Sequence, residues 1–322
     1  MSIEANLCRI TQCFALTLKI GDINLKTGSI ERNYMKLRGL KKYHAVESDI
    51  YCEIKTIDAP FDYSGDMHNH DCHEILILEK GDINLYTEYY GRELKSGDVA
   101  FIPHYIFHTA DINAPDYDRI IINVTDDILQ KASTKKMNLS ACFLPNNDTY
   151  LHTVHLEEDE LKEVSMYARE MLKNLNSSAA GSDILAECYL KLIIVKLTSK
   201  YSADPVSNYP NTMPPLVVKT FDYIDKHLTE EITLKDLEKA IHHNGTYISR
   251  CVKNISGLTI QQYIIAKRIA LACKLLKEGC SASEACFRSG FNNYSNFSRT
   301  FTKQAGKSPK QLQMEWRKNL TE

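Results

Sequence analysis

Two segments in the last third of this chain repeat one another, and they constrain the fold more than any other feature. The first is TLKDLEKAIHHNGTYISRCVKNISG, residues 233–257, and the second is SASEACFRSGFNNYSNFSRTFTKQAG, residues 281–306. Each reads as a short amphipathic helix, a tight turn and a polar N-cap, Asn244 in the first and Asn292 or Asn293 in the second. A second helix follows with an Arg, then a Lys and a closing Gly. This is the helix-turn-helix outline, whose second helix enters the major groove of DNA. Between the repeats, TIQQYIIAKRIALACKLLK (259–277) is one unbroken helical pattern. Its length of about 28 Å approaches the ~34 Å of one turn of B-DNA, so two such helices could enter successive grooves on one face. A fragment of a helical solenoid is the plainer alternative.

Charge follows the same division. Residues 216–322 hold 17 Lys and Arg against 10 Asp and Glu, whereas the first 215 residues hold 22 against 31. A basic third on an acidic body points to a polyanionic partner for the C-terminal part alone, with a chance skew of a solvated surface as the bland reading.

Upstream, three sections separate by periodicity. From about Ser48 to Asp127 short alternating runs such as DIYCEIKTI and YDRIIINV are broken by Gly-Asp at 81–82 and 97–98, the pattern of an all-β barrel or sandwich. From 156 to 201 the period becomes helical. Leu161, Val164, Ala168, Met171 and Leu175 make one stripe; Leu185, Cys188, Leu192 and Val195 make a second. Ile184, Ile193, Ile194 and Leu197 on other faces suggest that this second helix is buried on more than one side, packed on the barrel and shared with a second subunit. SADPVSNYPNTMPP (202–215), with four prolines, reads as a semi-rigid linker. Residues 1–47 have no clean periodicity and stay unassigned.

The chain has no basic leader and no apolar run near the ~18 residues of a membrane span, so a cytoplasmic protein without a membrane partner is expected. Ten scattered cysteines without a C-x-x-C pair read as reduced thiols of that compartment.

The residues of the C-terminal third carry a resemblance. KRIALACKLLKEGCSASEACFRSGFNNYSNFSRTFTKQAGKSPKQL, with Gly290, Phe291, Phe297, Arg299, Phe301, Lys303, Gly306 and Pro309, resembles the second motif of the AraC/XylS family of bacterial transcription regulators. Ile224, Leu234, Leu237, Ile248, Arg250, Lys253, Gly257 and Tyr263 fit the first motif. The chain departs from the family at Glu238, usually a small residue, at His242, usually Gly, and at Ala282 and Ala285, usually larger aliphatics. The resemblance implies that Thr246, Ser249 and Arg250, and Tyr294, Ser295, Asn296 and Arg299, face the groove. Arg suits guanine and Asn suits adenine, while Lys253, Lys303 and Lys307 would approach phosphates. Ile248, Cys251, Phe297 and Phe301 are expected in the core.

The stretch HNHDCHE then gains a context. His68-x-His70-x3-Glu74-x6-Gly81 and Gly97-x5-Pro103-x4-His108 resemble the two motifs of cupins, small β-barrels that form the sensing half of many such regulators. Tyr105 stands at a usual Gly and Ile112 at a usual Asn. His68, His70, Glu74 and His108 could hold a divalent metal (Mn, Fe, Ni or Zn), contact a polar effector such as a sugar or organic acid, or satisfy one another at a barrel rim. His73 is expected at the rim or surface.

The combined expectation is an α+β two-domain chain. A cupin-like sensing barrel (48–155), a helix pair for dimerisation (156–201) and a linker (202–215) precede an all-α DNA-binding domain (216–322) with two helix-turn-helix motifs. It implies a non-enzymatic, effector-controlled transcription regulator that binds operator DNA as a homodimer and contacts RNA polymerase. The alternative is a metal-dependent cupin oxygenase or isomerase with an appended DNA-binding domain.

Overall fold

The computed structural model describes residues 43–44, 49–57, 66–113, 116–144, 151–203 and 210–319. Of the unassigned segment 1–47, only Tyr43–His44 falls among them.

The alternating runs do form strands: β1 (Tyr43–His44), β2 (Ile50–Ile57), β3 (Asn69–His70), β4 (His73–Lys80), β5 (Asp82–Thr87), β6 (Gly91–Lys95), β7 (Asp98–Ile102), β8 (His108–Ile112), β9 (Tyr117–Val124) and β10 (His152–His155). Their hydrogen bonds make a five-stranded sheet in the order β10-β7-β4-β9-β2, a three-stranded sheet β6-β5-β8, and a parallel pair β1-β3. Among the described residues this is a two-sheet sandwich. The ladders of these sheets do not join into one closed ring among the described residues.

Period-two alternation in β4 decides both faces of the larger sheet. Leu76 and Leu78 meet Ile83, Leu85 and Leu94 of the smaller sheet in the interior, while Ile75 and Ile77 turn the other way onto helices. Burying each such side chain contributes about 1.5–3 kcal/mol before conformational entropy is subtracted.

Those helices are α1 (Asp126–Ala132), α2 (Glu158–Leu175) and α3 (Ser182–Ala203). In α2 the spacing of Val164, Ala168 and Met171 puts all three in the shared core, as the stripe predicts, although Leu175 is exposed. In α3 the residues that face the core are Ala186, Leu190, Ile193, Ile194 and Leu197. The expected stripe of Leu185, Cys188, Leu192 and Val195 lies on the outer side, with Leu185 51% and Leu192 46% exposed. Burial of α3 on more than one side therefore does not occur within a single chain.

The C-terminal helices are α4 (Pro215–Lys226), α5 (Leu234–Ile241), α6 (Gly245–Ser256), α7 (Ile260–Lys277), α8 (Ala282–Arg288), α9 (Tyr294–Ala305) and α10 (Pro309–Asn319). Both expected second helices are capped by asparagine: Asn244 accepts from the Thr246 N–H and Asn293 from the Asn296 N–H. The departures from the family acquire physical explanations. Tyr105 (φ 62°) and His242 (φ 59°), both at usual glycine positions, adopt the left-handed backbone that position demands, at a cost of about 1–3 kcal/mol each. Glu238 receives the Gly245 N–H at 2.6 Å, so its carboxylate satisfies a free donor at the start of α6.

The linker is fastened where it is described. Asn211 accepts from the Gly91 N–H at 2.9 Å and donates to the Tyr89 carbonyl at 3.0 Å, and the Thr212 N–H donates to the Gly91 carbonyl. Its last expected residue, Pro215, is the first of α4.

Candidate functional sites

In the helical domain, α6 turns Ile248 and Val252 into the core and leaves Thr246, Arg250 and Lys253 exposed on the other side, with Ser249 half-buried. In α9, Phe297 and Phe301 are fully buried beside Phe291. Tyr294, Ser295, Ser298, Arg299, Thr302 and Lys303 line one open groove on the outer side. Ser298 was missed by the sequence reading, though its place three residues after Ser295 and four after Tyr294 puts it on the same helix face. Thr302 donates its hydroxyl proton back to the Ser298 carbonyl at 2.8 Å, which leaves it no donor for the groove. Asn296 is exposed in the first turn, and Lys307 is held by Glu315 at 2.8 Å.

In the sheet domain, His70 of β3 and Glu74 of β4 share the interior side, as their even spacing requires. His70 Nε2 lies 3.1 Å and His108 Nε2 3.7 Å from the same Glu74 oxygen, all three residues being buried. The ligand atoms of the three lie within 4.8 Å of one another. His68 stands one step outside this triad, half-buried, with its ring 4.5 Å from His108 and 6.3 Å from His70.

Hydrogen bonds fix the histidine tautomers. Each Nδ1 faces a backbone carbonyl: His68 that of Asp66 at 3.1 Å, His70 that of Cys72 at 2.8 Å, and His108 that of Ile106 at 3.0 Å. A carbonyl only accepts, so each Nδ1 bears the proton and each neutral ring presents an Nε2 lone pair. His70 then sets a lone pair against a carboxylate, which also only accepts. A positive centre resolves that opposition, either a second proton on His70 or a bound cation. Burial opposes charge on His70, but the Glu74 hydrogen bond and negative charge outweigh it and raise its pKa. Burial likewise opposes ionisation of Glu74, and His108 and His70 together hold it well below the usual carboxylate range.

Asn123 completes the site and was also missed. It pairs with Glu74 across β9 and β4, and its buried Oδ1 has no hydrogen-bond partner. Its amide nitrogen donates to Cys72 Sγ at 3.2 Å. Burial pushes that thiol to about 12, too high for it to ionise near neutrality. The available signal was a polar residue in the otherwise apolar run IIINV.

A second cluster lies on the other face of β4. His73 is buried, not at the rim, and its Nε2 meets Asp126 at 2.7 Å; His104 Nδ1 meets the other Asp126 oxygen at 2.8 Å. Here the second nitrogen works in the opposite sense, because His73 Nδ1 accepts from the His104 backbone N–H at 3.2 Å. The Nε2 proton therefore belongs to the Asp126 bond, and a metal at Nε2 would need an imidazolate. This cluster fits a structural pin for α1 rather than a metal site.

A helix-turn-helix domain model matches residues 237–315. YbfI of Bacillus subtilis, an uncharacterized HTH-type transcriptional regulator, is 26% identical over 230 residues, 71% of this chain and 80% of its own. RhaS of Escherichia fergusonii, an HTH-type transcriptional activator, is 21% identical over 250 residues, covering 76% and 86%. Residues 237–315 are an AraC-type helix-turn-helix domain, and the chain is a transcription regulator. Among solved structures, ToxT of Vibrio cholerae with a bound unsaturated fatty acid aligns over 83% of the regulator and 95% of that chain, at 14% identity and a TM-score of 0.37. The regulator binds DNA, and its matched region contains both α6 and α9.

Proposed function

We propose that the regulator reads its operator with α6 and α9 and is controlled by a small ligand held in its N-terminal sandwich. The observation that supports sensing is the buried convergence of His70, Glu74 and His108 with the unpartnered Asn123 Oδ1. The ligand must bring hydrogen-bond donors or positive charge, since Nε2 lone pairs, a carboxylate and an amide oxygen all accept. A sugar hydroxyl meets that demand. A divalent metal meets it as well, through the two His Nε2 and the Glu74 carboxylate, with His68 at the margin. An organic acid would face the Glu74 charge and fits poorly. Most of a cupin-like barrel is present in this reading, with its two sheets packed rather than fully laddered. Relatives matching over most of the chain are regulators, which favours detection over the oxygenase or isomerase alternative.

Arg250 and Arg299 are the strongest candidates for base contacts, with Thr246, Ser249, Tyr294, Ser295, Ser298 and Asn296 beside them and Lys253 and Lys303 near phosphates. Arg299→Ala should lower affinity for an operator selected from random DNA by about 1–3 kcal/mol and relax choice at one base pair. Unchanged affinity in a binding titration would remove Arg299 from the readers.

The outer stripe of α3 fits a second copy of the chain, because Leu185, Cys188, Leu192 and Val195 repeat at the spacing of a two-helix seam. Leu192→Asp should leave a folded monomer in sedimentation, where the wild type is expected to run as a dimer. No described helix is long and apolar enough to cross a membrane. A cytoplasmic dimer that contacts RNA polymerase at promoters accords with RhaS being an activator.

A further inference from the structure

His68 and His108 form a single antiparallel rung that belongs to two sites at once. Each donates its N–H to the other's carbonyl, at 3.0 and 2.9 Å, and both rings lie on the sensing side. Alternation sends the preceding residues the other way. Met67 and Phe107 are fully buried, and they belong to the apolar core of the first helix-turn-helix unit, with Phe221, Ile248, Val252 and Tyr263. The Phe107 ring meets Tyr263 edge-on at 5.8 Å, Tyr263 stacks on Phe221 at 4.2 Å, and the Lys267 ammonium lies 5.6 Å from the Phe107 ring centre.

The rung is also seated on the end of the recognition helix. The Met67 N–H donates to the Ser256 carbonyl at 2.8 Å, satisfying a free acceptor in the last turn of α6. Gly257 closes that turn at φ 68°, where a β-carbon would stand 2.5 Å from the Asp66 carboxylate, so no slack separates strand from helix. A parallel link runs from the triad to the second unit. The Tyr105 N–H donates to the His70 carbonyl at 2.8 Å, and the Tyr105 ring packs on the core that holds α9.

We propose that the His68–His108 rung is the transmission element of this regulator: a change at the Glu74 triad moves Met67 and Phe107 together and resets the packing under α6. The inference rests on the sensing role assigned to that triad. Tightly packed interfaces switch between discrete arrangements rather than yielding smoothly, so one rigid rung shared by site and core is enough to couple them. The coupling equals the difference in ligand affinity between the two arrangements.

The test uses the full chain and needs no identified ligand, because Glu74→Gln perturbs the triad by itself. Hydrogen exchange is followed in peptides covering 250–258 for wild type, Glu74→Gln, Phe107→Leu and the double variant. Glu74→Gln should change protection of 250–258 by roughly fivefold or more, the low end of measured couplings, and the change should vanish in the Phe107→Leu background. A change that persists undiminished in the double variant, or no change in the first place, overturns the proposal. Should Phe107→Leu unfold, Met67→Leu takes its place with the same expected and overturning results. Calorimetric titration of wild type with Zn²⁺ and with neutral sugars tests the sensing role separately. Exchange coupling without binding of any of these probes would strike that role and leave the rung standing.

Discussion

His73 and Glu74 are neighbours in β4, and each anchors a triad of two histidines and one carboxylate on its own face of the sheet. By residue type the two triads are equivalent. They differ in the bond made by the far ring nitrogen. In the Glu74 triad both histidines give Nδ1–H to carbonyls and aim lone pairs at a carboxylate. In the Asp126 triad His73 receives a backbone N–H at Nδ1 and gives its Nε2 proton to the acid. The first is an unfinished set of acceptors, the second a closed circuit. Ligating capacity is thus decided by the outer hydrogen bonds more than by the count of imidazoles.

The largest effect that could break this contrast is on cation affinity. Zn²⁺ titrated into the full chain should bind at one site, and His70→Ala should weaken it about 100-fold or more, the loss of one of three donors. His104→Ala should leave the isotherm unchanged. Equal losses in the two variants would mean that the ring tautomers do not decide which triad binds the cation.

The next effect is on stability and has the opposite assignment. Asp126→Asn opens the closed circuit and should cost about 1–2 kcal/mol, its half-exposed carboxylate being partly screened by water. Acid should act on the same cluster. The His104 and His73 bonds hold Asp126 below its ordinary 3.8, so its contribution is full above that value and is lost as the pH falls below it. Burial keeps His73 below its ordinary 6.5, so as pH falls through 6.5 the unfolded chain takes up a proton that the fold refuses. Wild-type melting temperature should therefore decline in two stages on acidification, near pH 6 and again below pH 4. The lower stage should shrink in Asp126→Asn, and an identical decline in both proteins would remove Asp126 as its source.

The same contrast explains what could be read from sequence. Helical periodicity and caps are local, so α5 to α9 and their asparagine caps were legible to within a residue or two. The glycine positions taken by Tyr105 and His242 were legible as departures, but their left-handed backbone was not, since any residue can be forced there by its surroundings. HNHDCHE was legible as a cluster. Its division was legible too, since alternation puts His68, His70 and Glu74 on one face and His73 on the other; that the far face is buried against Asp126 was not. Asn123 and Asp126 arrive from β9 and α1, some fifty residues away, and no spacing within the motif announces them. The α3 stripe was legible as apolar, whereas the side facing its own core depended on the register of packing against α2.

The smallest effect is the most discriminating. A closed circuit loses stability when one member is removed, but an unfinished site should gain it when its unsatisfied atom is replaced by an apolar one. Asn123 supplies that case: its Oδ1 is buried without a partner, and its amide makes only a weak bond to a thiol. Leucine has nearly the same shape, and Ile102 and Leu76 line the interior nearby. Asn123→Leu should therefore raise stability by about 0.5–1 kcal/mol in denaturant unfolding, with ligand response reduced, the exchange of stability for function expected of a binding site. A loss of stability as large as that of Asp126→Asn would show that Asn123 belongs to a satisfied network, and the difference between the two faces of β4 would disappear.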